Sequence, residues 1–174
     1  MPSARSGCTA VIRAAVWPDD ADAATTLLRG YAAWLADRDK PILIPGLDAE
    51  LLSLHYLFSE PRGVLLLASQ DAGPAGCVAV RVRRDWPGSC ELKRLWVEPH
   101  AQGQGLGRCL AEAAIRWARQ RQADTVLLDT VAAAMPRAAS LYRSLGFQVT
   151  QRHNANPVAG VEFMKLYLNP TDPA

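Results

Sequence analysis

The run from Leu92 to Gln122 constrains the chain most. Its first part, LKRLWVEP, is an apolar strand pattern that stops at Pro99. A loop with three glycines in five residues follows (Gly103, Gly105 and Gly107) and opens directly into an amphipathic helical pattern. Glycine carries no side chain, so such a loop can turn tightly and approach a ligand closely. The first N–H groups of a helix have no partner within it, and the helix dipole is positive at that end. Strand, glycine loop and helix start together make a phosphate site. The loop is not that of a nucleoside triphosphatase, because Gly107 is followed by Arg108 and Cys109 rather than by Lys and Ser or Thr. Nor is it G-x-G-x-x-G. Counted from Gly103 the last position is Arg108, and counted from Gly105 it is Leu110.

What the loop does spell is Gln102-x-x-Gly105-x-Gly107. A later segment, Ala138 to Phe147, spells A-x-x-L-Y-x-x-L-G-F. In this order the two resemble the pyrophosphate loop and the helix-turn signature of the Gcn5-related N-acetyltransferases (GNAT). The resemblance follows the element order from Ala10 to Leu168 and is specific in residues from Glu91 to Phe147. It implies an α/β fold with a single mixed, mostly antiparallel sheet flanked by helices. It also implies acetyl-CoA-dependent transfer of an acetyl group to a primary amine of a small molecule or peptide, by direct attack in a ternary complex. Acetyl-CoA is then a co-substrate, the partner is an amine acceptor, and no metal is called for. Carried over residue by residue, Gln102, Gly103, Gln104, Gly105, Leu106, Gly107 and Arg108 surround the diphosphate. Backbone groups of Leu95, Trp96 and Val97 bind the pantetheine arm in a slot opened by a splay toward the strand at Thr125 to Val131. Tyr142 lies near the sulfur and acts as the acid for the departing thiolate. One departure stands out. The family often carries an asparagine just before the tyrosine helix, and Val131 to Pro136 has none.

The chain of 174 residues is long enough for one domain with a sizeable core, and 49% apolar with 21% charged residues is ordinary for a globular protein. A net charge of +2 gives no reason to expect nucleic acid. The four cysteines and three histidines show no metal-ligand spacing, so free thiols in a reducing compartment are expected. No apolar run reaches transmembrane length and no signal-peptide pattern opens the chain, so the expectation is a cytoplasmic protein without a membrane partner. The domain is expected to span 1–174, with a core of 10–168 and loose termini at 1–9 and 169–174.

Periodicity and turn chemistry predict the following elements. A strand covers Ala10 to Ala15. A helix entered at Asp19-Asp20, with an Asp as N-cap, buries Leu27, Leu28, Tyr31, Trp34 and Leu35 and ends near Asp39. A short helix runs from Asp48, its N-cap, to Leu57. Strands cover Val64 to Ala68, Cys77 to Val82 and Cys90 to Val97, with a turn at Asp71 to Pro74. A helix runs from Gly105 to Gln122, and a strand from Thr125 to Val131. A last helix begins at Met135 or Pro136 and stops at Gly146, before strands at Phe147 to Arg152 and Val161 to Leu168.

Glu91 is the first candidate for the base, and Asp129, late in the next strand, the second. On an alternating strand Glu91 shares a face with Lys93, Leu95 and Val97. A plain ion pair of Glu91 with Arg81, Arg83 or Lys93 is the competing reading, and deprotonation through waters is a third. Lys93 and Arg94 could instead hold an acidic group on the acceptor. The acceptor site is expected between the first helical region (Tyr31, Trp34, residues 41–56) and the loop 153–160, with Asn156 and Glu162 in reach. Two other functions stay open: a non-enzymatic acyl-CoA-binding or sensing module, and a domain that has lost its cofactor. An exposed sheet edge could support a homodimer.

Overall fold

The computed structural model describes residues 10–71 and 73–168. The termini expected to be loose, and Ala72 of the expected turn, lie outside the described residues. In chain order the elements are β1 (Val11–Ala14), α1 (Ala21–Ala36), α2 (Leu47–Leu51), α3 (Leu54–Leu57), β2 (Gly63–Gln70), β3 (Gly73–Arg83) and β4 (Ser89–Val97). A 3-10 turn (Pro99–Ala101) leads to α4 (Leu106–Gln120), β5 (Thr125–Thr130), α5 (Pro136–Ser144), β6 (Gln148–Val149) and β7 (Glu162–Tyr167).

Three local expectations are corrected. The helix expected over residues 48–57 is two short helices, and Gly46, at φ 74°, stands at the N-cap in place of Asp48. Asp20 occupies the N-cap of α1 but does not cap it; its carboxylate accepts from the Val16 N–H and from the Arg13 guanidinium, which hold its pKa near 2. The strand expected over Phe147 to Arg152 pairs only at Gln148 and Val149. Beyond it, side chains in the 153–160 loop tie the backbone down in place of a strand partner.

The strands form a seven-stranded sheet in the order β1-β2-β3-β4-β5-β7-β6. All neighbours are antiparallel except β4 and β5. The faces bury separate cores. Helix α4 covers one with Leu106, Leu110, Ala114 and Ala118 against Val78, Val80, Cys90, Leu92, Val126 and Leu128. Helix α1 covers the other with Leu27 and Leu28 against Leu65, Leu67, Cys77, Ala79 and Trp96. Both strand cysteines thus serve as small apolar core residues.

Two irregularities in β4 shape the site. The parallel pairing with β5 runs from Ser89↔Thr125 to Glu91↔Leu127 and stops there, although β4 continues to Val97 and β5 to Thr130. The strands part, and the β5-facing backbone groups of β4 beyond Glu91 have no sheet partner. On its other edge β4 slips register against β3: Ala79 faces Lys93 but Cys77 faces Trp96, so Arg94 and Leu95 together oppose Val78. Arg94 absorbs the extra residue at φ 57°, a left-handed conformation that costs a non-glycine residue of order 1–3 kcal/mol. The bulge overturns the expected alternation. Glu91, Lys93 and Trp96 face α1, whereas Leu95 and Val97 turn to the α4 side.

The sheet leaves no room at Gly76, where a Cβ would sit 2.6 Å from the Trp96 carbonyl oxygen and 3.1 Å from Leu110. Gly76→Ala is therefore expected to destabilise by about 1–3 kcal/mol, the cost of overpacking a core. Thermal unfolding of the variant checks this, and an unchanged melting temperature would show that β3 yields freely under α4.

Candidate active site

The parted strands open two adjoining cavities. One, of about 570 Å³, lies along the glycine loop. It is lined by Leu95, Trp96 and Val97 of β4, by Gln102, Gly103, Gly105, Leu106, Gly107 and Arg108, and by Ala134 to Ala138 and Leu141 from the opposite side. Gly103 and Gly105 adopt φ 79° and 80°, and a Cβ at either would meet no atom within 4 Å. Their backbone conformation needs glycine, and the space beside them is open. Gly105 is the N-cap of α4, so this space lies against the helix's positive end. Leu106 lines it while packing into the α4-side core. Gln102 donates to the Val97 carbonyl at 2.9 Å and pins the loop to the end of β4. Arg108 donates to the Ser144 hydroxyl and pairs with Glu112 at 3.6 Å.

Gln104 is the one expected phosphate-loop residue outside the lining. Its amide bonds the His100 carbonyl and Gln70 instead. Arg38 lines this cavity without having been anticipated. It reaches from the end of α1, lies over the Trp34 ring at 4.3 Å and donates to the Ala134 carbonyl, in the stretch that lacks the asparagine. Its spacing of four from Trp34 is the only sequence signal for it.

The second cavity, of about 330 Å³, lies on the α1 face of the sheet beyond the splay. Arg81, Glu91, Lys93, Arg94, Asp129, Tyr142, Asn154 and Asn156 supply its polar lining. Residues Ile42 to Pro45 and Pro157, Val158 and Val161 supply apolar walls. The cavities meet at Tyr31, Leu95, Met135 and Ala138, which line both. Tyr142 packs edge-to-face with Phe147 at 5.7 Å in the α4-side core, yet it also lines this α1-side cavity. It therefore stands in the gap between the two strands. Burial pushes its hydroxyl pKa far up, with smaller contributions from Tyr31 and Asp129, so the hydroxyl keeps its proton. Burial does the same to Tyr31.

Glu91 is fully buried, and four groups converge on its carboxylate. Arg81 donates at 2.8 Å, the Asn154 amide donates at 3.0 Å, Arg83 lies at 3.3 Å and Lys93 at 4.0 Å. Burial alone would raise the Glu91 pKa, but Lys93, Arg81, Asn154 and Arg83 outweigh it and hold the carboxyl below the usual range. Asp129 is the less encumbered acid. It accepts from the Asn156 amide, and among the described residues no cation lies within 4 Å of it.

Two asparagines on one loop thus seat two carboxylates, Asn154 on Glu91 and Asn156 on Asp129. The loop is held further by Asn154 Oδ1, which accepts the Asn156 N–H, and by His153, whose Nε2 lies 3.0 Å from the Leu128 carbonyl. Arg94, strained at the bulge, makes a two-pronged ion pair with Glu50 at 2.8 Å, which joins β4 to α2. Of the expected acceptor residues, Trp34 lines the other cavity, its ring tilted at 49° against Trp96. Glu162 is absent from the lining and pairs with Arg143.

Among the described residues no group of three or more His, Cys, Asp or Glu could hold a metal ion, and no helix is long and apolar enough to cross a membrane.

Comparison with known proteins bears on this arrangement. An N-acetyltransferase of Schizosaccharomyces pombe, uncharacterized in function, is 33% identical over 159 residues, covering 91% of this chain and 94% of the relative. A Klebsiella pneumoniae structure described as an acyl-CoA N-acyltransferase superposes with a TM-score of 0.69 at 25% identity, covering 94% of this chain and 100% of that one. A Salmonella typhimurium structure described as an acetyltransferase with its cofactor acetyl-CoA gives a TM-score of 0.68 at 22% identity, covering 96% and 98%. The profile of the Acetyltransferase (GNAT) family matches residues 27–147, which hold the glycine loop, the parted strands and Tyr142; the chain belongs to that family.

Proposed function

We propose that the protein transfers an acetyl group from acetyl-CoA to a primary amine of a small molecule, by direct attack in a ternary complex. The observation that carries this reading is the meeting of two cavities, one against the N-terminus of α4 and one lined by Tyr142 and by carboxylates. The residues fit the co-substrate. Open space beside Gly103 and Gly105 and the positive end of α4 suit a diphosphate, with Arg108 at hand. Leu95, Trp96 and Val97 have backbone groups left without a β5 partner, which suit the amides of the pantetheine arm.

When bound, acetyl-CoA supplies an activated acyl carbon and a sulfur leaving group. The chain's own residues then have two protons to manage. Asp129 holds the acceptor's ammonium and takes its proton, directly or through water, while Asn156 fixes the carboxylate's orientation. Glu91, crowded by cations and fully ionised, is the poorer base. Its role is to seat Asn154, and with it the loop that walls the acceptor cavity. Tyr142, still protonated far above neutral pH, donates to the departing sulfur.

Tyr142→Phe is expected to lower kcat by about 10²-fold, in the usual range for general acid catalysis, with acetyl-CoA affinity nearly unchanged. In the wild type the raised pKa keeps the hydroxyl protonated through the ordinary tyrosine range, so the rate should not fall on that account as pH approaches about 10. Thiol release from acetyl-CoA, followed against pH with a panel of amines, reads both effects. Equal kcat in the two proteins would remove Tyr142 from the chemistry. Binding without transfer to any amine would favour a sensing module.

A further inference from the structure

The charges around the acceptor cavity do not cancel where they stand. Arg81 and Arg83 come from β3, Lys93 and Arg94 from β4, Glu50 from α2, Asp85 from the turn after β3, Glu91 from β4 and Asp129 from β5. As a set, the four cations match the four carboxylates. Two pairs are closed. Arg94 takes both oxygens of Glu50, and Arg83 takes both of Asp85. That leaves Arg81 and Lys93 to share Glu91. Arg83 presses on the same carboxylate with a buried Nη1 that finds no hydrogen-bond partner. Lys93 stands 4.0 Å from Glu91, beyond hydrogen-bond reach, and its side chain is only 20% exposed. Asp129, by contrast, has an amide partner, and among the described residues no cation lies within 4 Å of it; Arg83 and Arg94 act on it only from further away. The cavity is therefore short of an anion beside Lys93 and Arg81, and short of a cation beside Asp129.

The two deficits lie on one face. Continuing the β4–β5 register of Glu91↔Leu127 sets Lys93 level with Asp129 across the splay. Residues two apart in a strand point the same way. Both residues line the cavity, as do Tyr142 and the residues shared with the coenzyme groove.

Resting on the acetyltransferase reading above, we infer that the acceptor is a zwitterion, a small amine that also carries a carboxylate, such as a free amino acid. Its ammonium docks on Asp129, and its carboxylate docks on Lys93 and Arg81. Each end of the acceptor meets one of the two deficits, so the half-buried Lys93 and Asp129 both gain a partner on binding. The cavity's volume, about 330 Å³, is near the lower end of small-molecule sites and suits an acceptor of this size. Arg94, although cationic and in the lining, is closed to the acceptor by Glu50.

The test compares matched pairs in one assay. Glycine, alanine, methionine, phenylalanine and aspartate, each alongside its α-carboxamide, are offered with acetyl-CoA, and thiol release gives kcat/KM. The amide keeps the side chain and the ammonium and loses only the anion, so it also stands for a peptide N-terminus. Its amine is the less basic of the two, so a preference for the acid cannot come from amine deprotonation. The best acid is expected to exceed its amide by about tenfold or more, the scale of one well-placed charge contact. In Lys93→Gln the same ratio should fall toward one. Because the ratio is internal to each preparation, partial unfolding of the variant does not move it. Amides used as well as or better than acids would overturn the zwitterion and leave the acetyltransferase reading standing. No turnover of either series while other amines of the panel are acetylated would overturn the zwitterion alone, and acetyl-CoA binding with no turnover of any amine would overturn both. A ratio unchanged in Lys93→Gln would remove Lys93 from the acceptor's anion site and overturn the assignment.

Discussion

Gly105→Glu is expected to abolish measurable acetyl-CoA binding. Residue 105 caps α4 at φ 80°, where any side chain is strained, at a cost of order 1–3 kcal/mol. No atom of the protein would obstruct the new Cβ, so the glutamate enters the open space next to the helix end. There it fills the proposed diphosphate position and repels the ligand's negative charge. Sterics, charge and strain act in one direction, and we expect affinity to fall by more than about 10²-fold. Gly105→Ala separates the causes, because it keeps the strain and loses the charge and bulk. It should lose far less affinity than the glutamate. Calorimetric titration of both variants, with melting curves to show that they are folded, gives the answer. A folded Gly105→Glu protein that binds acetyl-CoA like the wild type would refute the loop's role.

The largest expected stability effect is at Glu91. This carboxylate has no solvent exposure and is the shared partner of Arg81, Arg83 and Lys93. Glu91→Ala leaves those cations facing one another and removes the seat of Asn154. Loss of one member of a buried ion cluster costs about 3–5 kcal/mol, which for a chain of this size is a fall in melting temperature of roughly 10 °C. The pH dependence follows from the direction of the Glu91 shift. A carboxyl held below its unfolded value contributes stability that is present above that value and is lost as pH falls through the folded one. The gap in melting temperature between wild type and Glu91→Ala should therefore be full near neutrality and should narrow below the ordinary glutamate range. Thermal unfolding from neutral to acidic pH checks it. A gap that stays constant would mean that the cluster's charge contributes nothing.

Most of the architecture was legible in the sequence because its signals are local. Glycines forced into left-handed conformations, the apolar stripe of α4 and the β-branched run of β5 each declare themselves within a few residues. The glycine loop and Tyr142 were legible as family motifs, and the gap in β4–β5 pairing lies where the resemblance implied a splay. What escaped is non-local. The bulge at Arg94 is a matter of register against β3, and Arg94 there pairs with Glu50, which is 44 residues away in the chain. It reversed the faces of Leu95 and Val97 that strict alternation assigned. The seating of Glu91 and Asp129 by Asn154 and Asn156 requires a loop to fold back over two strands. Nothing in the spacing of two asparagines announces that. Arg38 shows only its spacing from Trp34 in the sequence, since its acceptor is a backbone carbonyl 96 residues away.

The proposed activity rests first on the ligand that the glycine loop accepts. Calorimetric titration of the wild-type protein with acetyl-CoA, and separately with NADH and ATP, puts the question directly. Saturable, one-to-one binding of acetyl-CoA is expected, with little or none of the other two. Folded protein that ignores acetyl-CoA, or that prefers NADH or ATP, would contradict it.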